Sequence, residues 1–263
     1  MINAYVAPTY FDPFTWNNYI PNNNFWEKID NLDNADVVIY IDACKKINTD
    51  KFKILYLIES EYLLNVKYAD IINYLEPNLI ISFNKNLINE KIIHTPPPFK
   101  SWINSPGLYK KNKLCSFITS LKQQTPMQKY RVSVYNKYKK NIDCFGIGIN
   151  PIENKLTGLK DYFFSFAIEN DIIPGYFSEK ILDCFMTGTV PIYAGDDYIK
   201  SIFDERGIIF YNENFNINTL TENLYFEMFP YVSKNYEIAK SLNFSFDDYF
   251  LTGIKEYANR IKS

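Results

Sequence analysis

One histidine, His94, serves the whole 263-residue chain. That scarcity excludes a multi-histidine metal centre, and any Ser-His-Asp arrangement would have to use this single side chain. His94 lies in IIHTPPPF, beside three prolines that stiffen a connector, and is read as a linker residue. The cysteines are few and scattered, at 44, 115, 144 and 184. They fit neither a CxxC metal pair nor a disulfide framework and are expected as buried reduced thiols. Charge of one sign is also lacking, since 28 basic side chains face 30 acidic ones for a formal net charge of −2. A nucleic-acid or anionic-membrane partner is therefore not expected. No apolar run approaches the roughly 18–20 residues of a membrane span, and MINAYVAPTYFDPF lacks a basic region followed by an apolar one. The expectation is a cytoplasmic protein without internal repeats.

What the chain does have is apolar substance, 47% of its residues, enough for a packed core. ADVVIYI (35–41), FKILYLI (52–58) and NLIISF (78–83) are short apolar runs between polar or helical stretches, the pattern of buried parallel strands. KLCSFITS (113–120) opens a second such series. An amphipathic segment around 127–140 follows, then IDCFGIG (142–148), YFFSFAI (162–168), VPIYAG (190–195) and GIIFY (207–211). The fold class is α/β, with a division near residues 96–112 that separates a domain over 1–100 from one over 101–263. The latter is expected to be closed by a helix at IKEYANRIKS.

The richest chemistry lies in ENDIIPGYFSEK, residues 169–180. Glu169 and Asn170 fall where a buried strand ends, the ligand-bearing edge of a parallel sheet. Pro174 and Gly175 turn the chain, and Ser178 is a credible N-cap for a helix whose first turn holds Glu179 and Lys180. A helix start with a lysine favours phosphate, and a nearby carboxylate can accept hydrogen bonds from ribose hydroxyls. These residues fit a nucleotide diphosphate site, but local chemistry alone favours a helix whose Glu179 complements the dipole while Lys180 is solvated.

FAIENDIIPGYFSEKILDCFMTGTVPIYAGDDYI resembles the signature of the α1,3/4-fucosyltransferases. In that family a phenylalanine, Glu-Asn, a short loop, a tyrosine and Glu-Lys precede a helix and an apolar strand ending in glycine. KLCSFITS with the following helix and IDCFG is similar to the start of the family's donor domain, and INTLTENLYF to its downstream segment. The resemblance implies a GT-B fold of two Rossmann-like domains facing each other across a cleft, with GDP-fucose as donor and inversion at the sugar carbon. It also implies a glycan hydroxyl as acceptor, in an α1,3-type linkage. Carried over by position, Glu179 would hold the ribose and Lys180 the diphosphate, with Glu169, Asn170, Tyr176 and Ser178 completing the donor pocket. Gln128 stands where the family has a phosphate-binding arginine, and Arg131, three residues on and on the same helix face, is the substitute. KILYLIESEYLLN resembles the stretch carrying the family's general base, which implies Glu59, with Glu61 as the alternative.

No metal and no cofactor are required on this reading, because cationic side chains would stabilise the departing diphosphate, although a divalent ion could stimulate turnover. Asp196-Asp197 after VPIYAG is the rival feature, a pair of acids of the kind that holds a metal in the other large glycosyltransferase fold. Two rival functions stand beside transfer of fucose: the same scaffold with another nucleotide sugar, and a nucleotide-sugar-binding module without turnover.

Overall fold

The computed structural model describes residues 1–9, 25–242 and 246–262. Residues 10–14 of the amino-terminal stretch quoted above lie outside the described residues. The chain divides into two units, Met1–Pro98 with Phe244–Ser263, and Phe99–Asn243.

The first unit holds a six-stranded, wholly parallel sheet in the order β2-β1-β3-β4-β5-β6. Its strands are β1 (Ile2–Val6), β2 (Trp26–Ile29), β3 (Val37–Ile41), β4 (Phe52–Leu57), β5 (Leu79–Ser82) and β6 (Ile92–His94). The central three are the apolar runs legible in the sequence, because a strand covered on both faces has no polar alternation. β1, β2 and β6 escape that reading: β1 is only partly buried and β6 is a three-residue edge strand. His94 ends β6, and its Nε2 lies 3.0 Å from the Asn84 carbonyl and 3.1 Å from that of Leu87, so it is tied into a turn and is not a free connector residue. Two short helices, α1 (Glu61–Leu64) and α2 (Tyr68–Leu75), follow β4.

The second unit repeats the plan with a five-stranded parallel sheet, β11-β10-β9-β7-β8. These strands are β7 (Lys113–Ile118), β8 (Asp143–Phe145), β9 (Tyr162–Ile168), β10 (Val190–Ala194) and β11 (Ile209–Phe210). Helices α3 (Pro126–Tyr138), α4 (Glu179–Phe185) and α5 (Glu222–Ser241) accompany them. Each unit is thus an α/β unit built on a parallel sheet, as the pattern of apolar runs implies. Lys111 fastens the leading segment of this unit. Its buried ammonium donates to the Thr187 carbonyl at 2.7 Å, to Thr189 Oγ1 at 2.8 Å and to the Lys160 carbonyl at 3.1 Å.

The closing helix, α6 (Phe246–Arg260), corrects the expected division, for it belongs to the first unit although it follows the second in sequence. The reason is its apolar face: Phe250, Ile254 and Ala258, spaced by four, are buried with Tyr249. Tyr249, Phe250 and Ile254 join the core formed by Trp26, Ile54 and Tyr56. The Tyr56 hydroxyl donates to the Phe250 carbonyl at 2.6 Å, and the Tyr249 hydroxyl donates to that of Leu57 at 2.7 Å. A Cβ on Gly253 would meet the Tyr56 hydroxyl at 2.4 Å, so only glycine allows this helix to sit so close to β4.

All four cysteines are free. Cys115 and Cys184 are buried as expected, whereas Cys44 and Cys144 are only half-buried. Among the described residues no helix is long and apolar enough to cross a membrane.

Candidate functional site

Every residue of β9 is buried, and the strand delivers Glu169 at its carboxyl end. The Glu169 amide still donates to the Ala194 carbonyl at 2.9 Å, which holds the residue in register beside β10. Its side chain is fully enclosed. An enclosed carboxylate needs partners, and Ser178 supplies two: its amide donates to Oε1 at 3.0 Å and its hydroxyl to Oε2 at 2.6 Å. The chain returns to meet Glu169 because Gly175 adopts φ +92°, and the Gly175 amide is held by Asp196 Oδ1 at 3.0 Å. Ser178 is the N-cap of α4, as its sequence position implies. With only seven residues, α4 is about two turns long, so the positive character of this edge comes chiefly from side chains rather than from a long helix dipole.

Two lysines serve the edge differently. Lys180 Nζ lies 2.9 Å from Ser178 Oγ, but 3.4 Å from Glu169 Oε2 and 3.6 Å from Glu179 Oε1. Lys155, absent from the sequence-based expectation, contacts Asp183 Oδ2 at 2.8 Å and Glu179 Oε1 at 3.1 Å. Burial works against ionised Glu179, yet the charges of Lys180 and Lys155 outweigh it and hold this carboxyl down at about 2. Asp183 moves the other way. Its burial, with the Glu179 carboxylate close by, pushes it up against the opposing pull of Lys155.

Arg131 is buried on α3, where its Nη1 donates to Asn170 Oδ1 at 2.6 Å and its Nη2 to Ser120 Oγ at 3.3 Å. Its Nε is enclosed with no hydrogen-bond partner. Burial pushes the guanidinium down, and the charges of Glu169 and Glu179 oppose that. The Asn170 carbonyl accepts from the Thr125 hydroxyl, so the α3 cap and the end of β9 are joined at the same place. Gln128 has another task, accepting the Gln124 amide through Oε1 at 2.8 Å. Tyr176 is buried and packs edge-on against Phe99, with ring centroids 5.8 Å apart. Thus Glu169, Asn170, Ser178, Glu179, Lys180 and Arg131 form one connected neighbourhood.

The paired acids after β10 are engaged locally. Asp196 caps a short 3-10 turn by accepting the Tyr198 amide at 3.1 Å, and Asp197 pairs with Lys200 at 2.8 Å. No group of side chains suited to holding a metal ion occurs among the described residues.

In the first unit, Glu59 follows β4 and is half-buried. Its amide and that of Ile58 point to the carboxyl of Asp42, at 3.2 Å and 2.7 Å from Oδ1. Asp42 ends β3 in a left-handed conformation, φ 49°, and is almost fully enclosed. Burial pushes its carboxyl up to about 8 despite those two amides. Sequence reading passes over Asp42 because a lone Asp after a strand looks like a turn residue. Glu61 is the first residue of α1, accepting the Tyr68 amide at 2.7 Å and pairing with Lys67 at 3.1 Å, a helix-end role.

Comparison with known proteins fits this architecture. Residues 108–229 match the family model described as glycosyltransferase family 10 (fucosyltransferase) C-term. A putative fucosyltransferase of Acanthamoeba polyphaga mimivirus is 23% identical over 212 residues, 73% of this chain and 33% of that protein. The α-(1,3)-fucosyltransferase FucT of Helicobacter pylori is 33% identical over 63 residues, 24% of this chain and 13% of that protein. The chain therefore matches a third or less of the length of these curated relatives. A crystal structure of an α1,3-fucosyltransferase with GDP-fucose superposes with a TM-score of 0.60 at 18% identity, covering 87% of this chain and 81% of that one. An α1,3-fucosyltransferase with GDP gives 0.58 at 16% identity, covering 92% and 91%. At such identities the structures speak for the fold, and the family match speaks for the segment that carries the site. Residues 108–229 thus carry the match to the C-terminal domain of glycosyltransferase family 10, the segment that holds Arg131, Lys155, Glu169 and Lys180.

Proposed function

We propose that the chain transfers fucose from GDP-fucose to a hydroxyl of a glycan acceptor, with inversion and in an α1,3-type linkage. The observation that carries this reading is the contrast between its two site lysines. Lys155 is locked by short contacts to two carboxylates, whereas Lys180 reaches its carboxylates only at 3.4 Å and 3.6 Å. A loosely paired ammonium beside a buried guanidinium suits the diphosphate of a nucleotide sugar. Glu179, kept ionised, accepts hydrogen bonds from the ribose, and Asn170 and Tyr176 line the donor pocket.

In the reaction the acceptor O–H loses its proton to the Glu59 carboxylate as the new bond to the anomeric carbon forms. The bond from that carbon to the diphosphate breaks, and GDP leaves with the electron pair. Lys180 and Arg131 neutralise the charge that develops on it. Charge stabilisation then comes from side chains, so transfer is expected to persist in EDTA, with a divalent ion at most stimulating product release.

Incubating the full chain with GDP-fucose and no acceptor tests the proposal. Slow release of GDP is expected, together with thermal stabilisation by GDP that UDP and dTDP do not match. Stabilisation by GDP without release would make the protein a binding module. Stabilisation by UDP or dTDP instead would assign another donor.

A further inference from the structure

Lys155 has no part in the reaction just set out, yet it is the most firmly held cation of the site. We infer that Lys155 is a positioning residue that fixes the Glu179 carboxylate and thereby sets the preference of the nucleotide site for ribose over deoxyribose. The inference rests on the nucleotide reading of Glu179 and adds the device that makes that contact selective.

Glu179 and Asp183 stand four apart on α4 and so share a face, where two carboxylates repel. Lys155, at the start of the 3-10 turn Lys155–Gly158, inserts its ammonium between them. Asp183 is anchored in turn, since its Oδ1 accepts the Ser101 hydroxyl and the Trp102 amide, both at 2.7 Å. The Trp102 ring covers the ammonium, with its centroid 4.0 Å from Nζ. The order of support therefore runs from the segment at 101–102 through Asp183 and Lys155 to Glu179. Lys155 and Lys180 both meet the same oxygen, Oε1. Both ion pairs thus converge on one oxygen, and the amide of Glu179 supports the carboxylate as well. A carboxylate gripped by one oxygen presents the other in a fixed direction, and a hydroxyl missing from the ligand then leaves it unsatisfied.

The test is calorimetric titration of the full chain with GDP and with 2′-deoxy-GDP. The native protein is expected to prefer GDP by about tenfold or more, the worth of one hydrogen bond to a charged group. In Lys155→Met the preference should fall below about threefold, while Lys155→Arg, which keeps the charge, should retain most of it. A second readout is specific to the carboxylate. The terminal phosphate of GDP itself titrates between about pH 8 and pH 5.5, so the readout is the difference between the proteins: the GDP affinity of Lys155→Met should decline more steeply than that of the native protein as pH falls, because Glu179 has lost one of the two charges that keep it ionised. Should Lys155→Met fail to fold, Lys155→Met/Asp183→Asn keeps the buried charge balanced and preserves acceptors for Ser101 and Trp102, with the same expectation. A folded variant that keeps both the native preference and the native pH profile overturns the inference, leaving Lys155 a structural ion pair. A native protein that does not bind GDP defeats the nucleotide reading and this inference with it, whereas one that binds both nucleotides equally overturns the inference and the ribose contact of Glu179 and leaves the diphosphate site standing.

Discussion

At the carboxyl ends of β3 and β4, the first unit places one buried acid, Asp42, on backbone amides and one half-buried acid, Glu59, beside it. At the corresponding edge, the second unit gathers Glu169, Glu179 and Asp183 with Lys155, Lys180 and Arg131. Both edges belong to all-parallel sheets, so the backbone plan does not account for the contrast. The difference teaches what each edge is equipped to do. A dense set of opposed charges can hold a charged ligand and be neutralised by it, while a single acid on a braced turn suits the movement of one proton.

The largest expected effect probes that division. Glu59→Gln should lower turnover by roughly 10²–10⁴, the usual worth of a general base, and leave GDP affinity nearly unchanged. Glu61→Gln is its control. Because Glu61 is occupied by the Tyr68 amide and Lys67, it should cost about 1 kcal/mol of stability and no turnover. Reversed outcomes for the two acids would move the base to Glu61.

Next in size is a break aimed at the first unit alone. Phe250 is fully buried and meets Tyr56 at 4.6 Å between ring centroids. Phe250→Ala should destabilise the unit by about 3–5 kcal/mol, read by calorimetry, while GDP continues to bind the second unit. Loss of GDP affinity in the folded variant would show that α6 serves the nucleotide site after all.

A pH experiment sharpens the role of Asp42. A carboxyl whose folded-state pKa stands well above its unfolded value binds an extra proton in the folded state, so stability is lost as pH rises from about 4 to 8. Denaturant titrations across that window should show the native protein losing several kcal/mol, to order of magnitude, relative to Asp42→Asn. Parallel curves would mean that Asp42 is ionised in the folded protein and braces Glu59 as an anion.

How much of this was legible in the sequence also differs between the units. YFFSFAI was readable to the residue because burial on both faces removes every polar interruption, and Ser178 was readable as a cap because capping is local chemistry. Lys155 was not readable. It stands 24 residues before Glu179 in a turn with no local signature, and only the packing of that turn against α4 brings the two together. Arg131 was named by resemblance in spite of Gln128, and its bond to Asn170 brings it to the end of β9, a contact no local pattern announces. The closing helix was misplaced because its apolar stripe shows that it must pack somewhere, while nothing in its own residues names the sheet. Asp42 was missed because its partners are amides just past the end of the neighbouring strand, and strand order is invisible until the sheet is formed.

The central claim, that the edge formed by Glu169, Ser178 and Lys180 binds a nucleotide diphosphate, is tested most directly by titrating GDP into the native protein and into Lys180→Ala. The account predicts measurable binding to the native protein and a loss of about 1–3 kcal/mol in the folded variant, the range of a charge-assisted hydrogen bond. Unchanged GDP affinity in folded Lys180→Ala would contradict it.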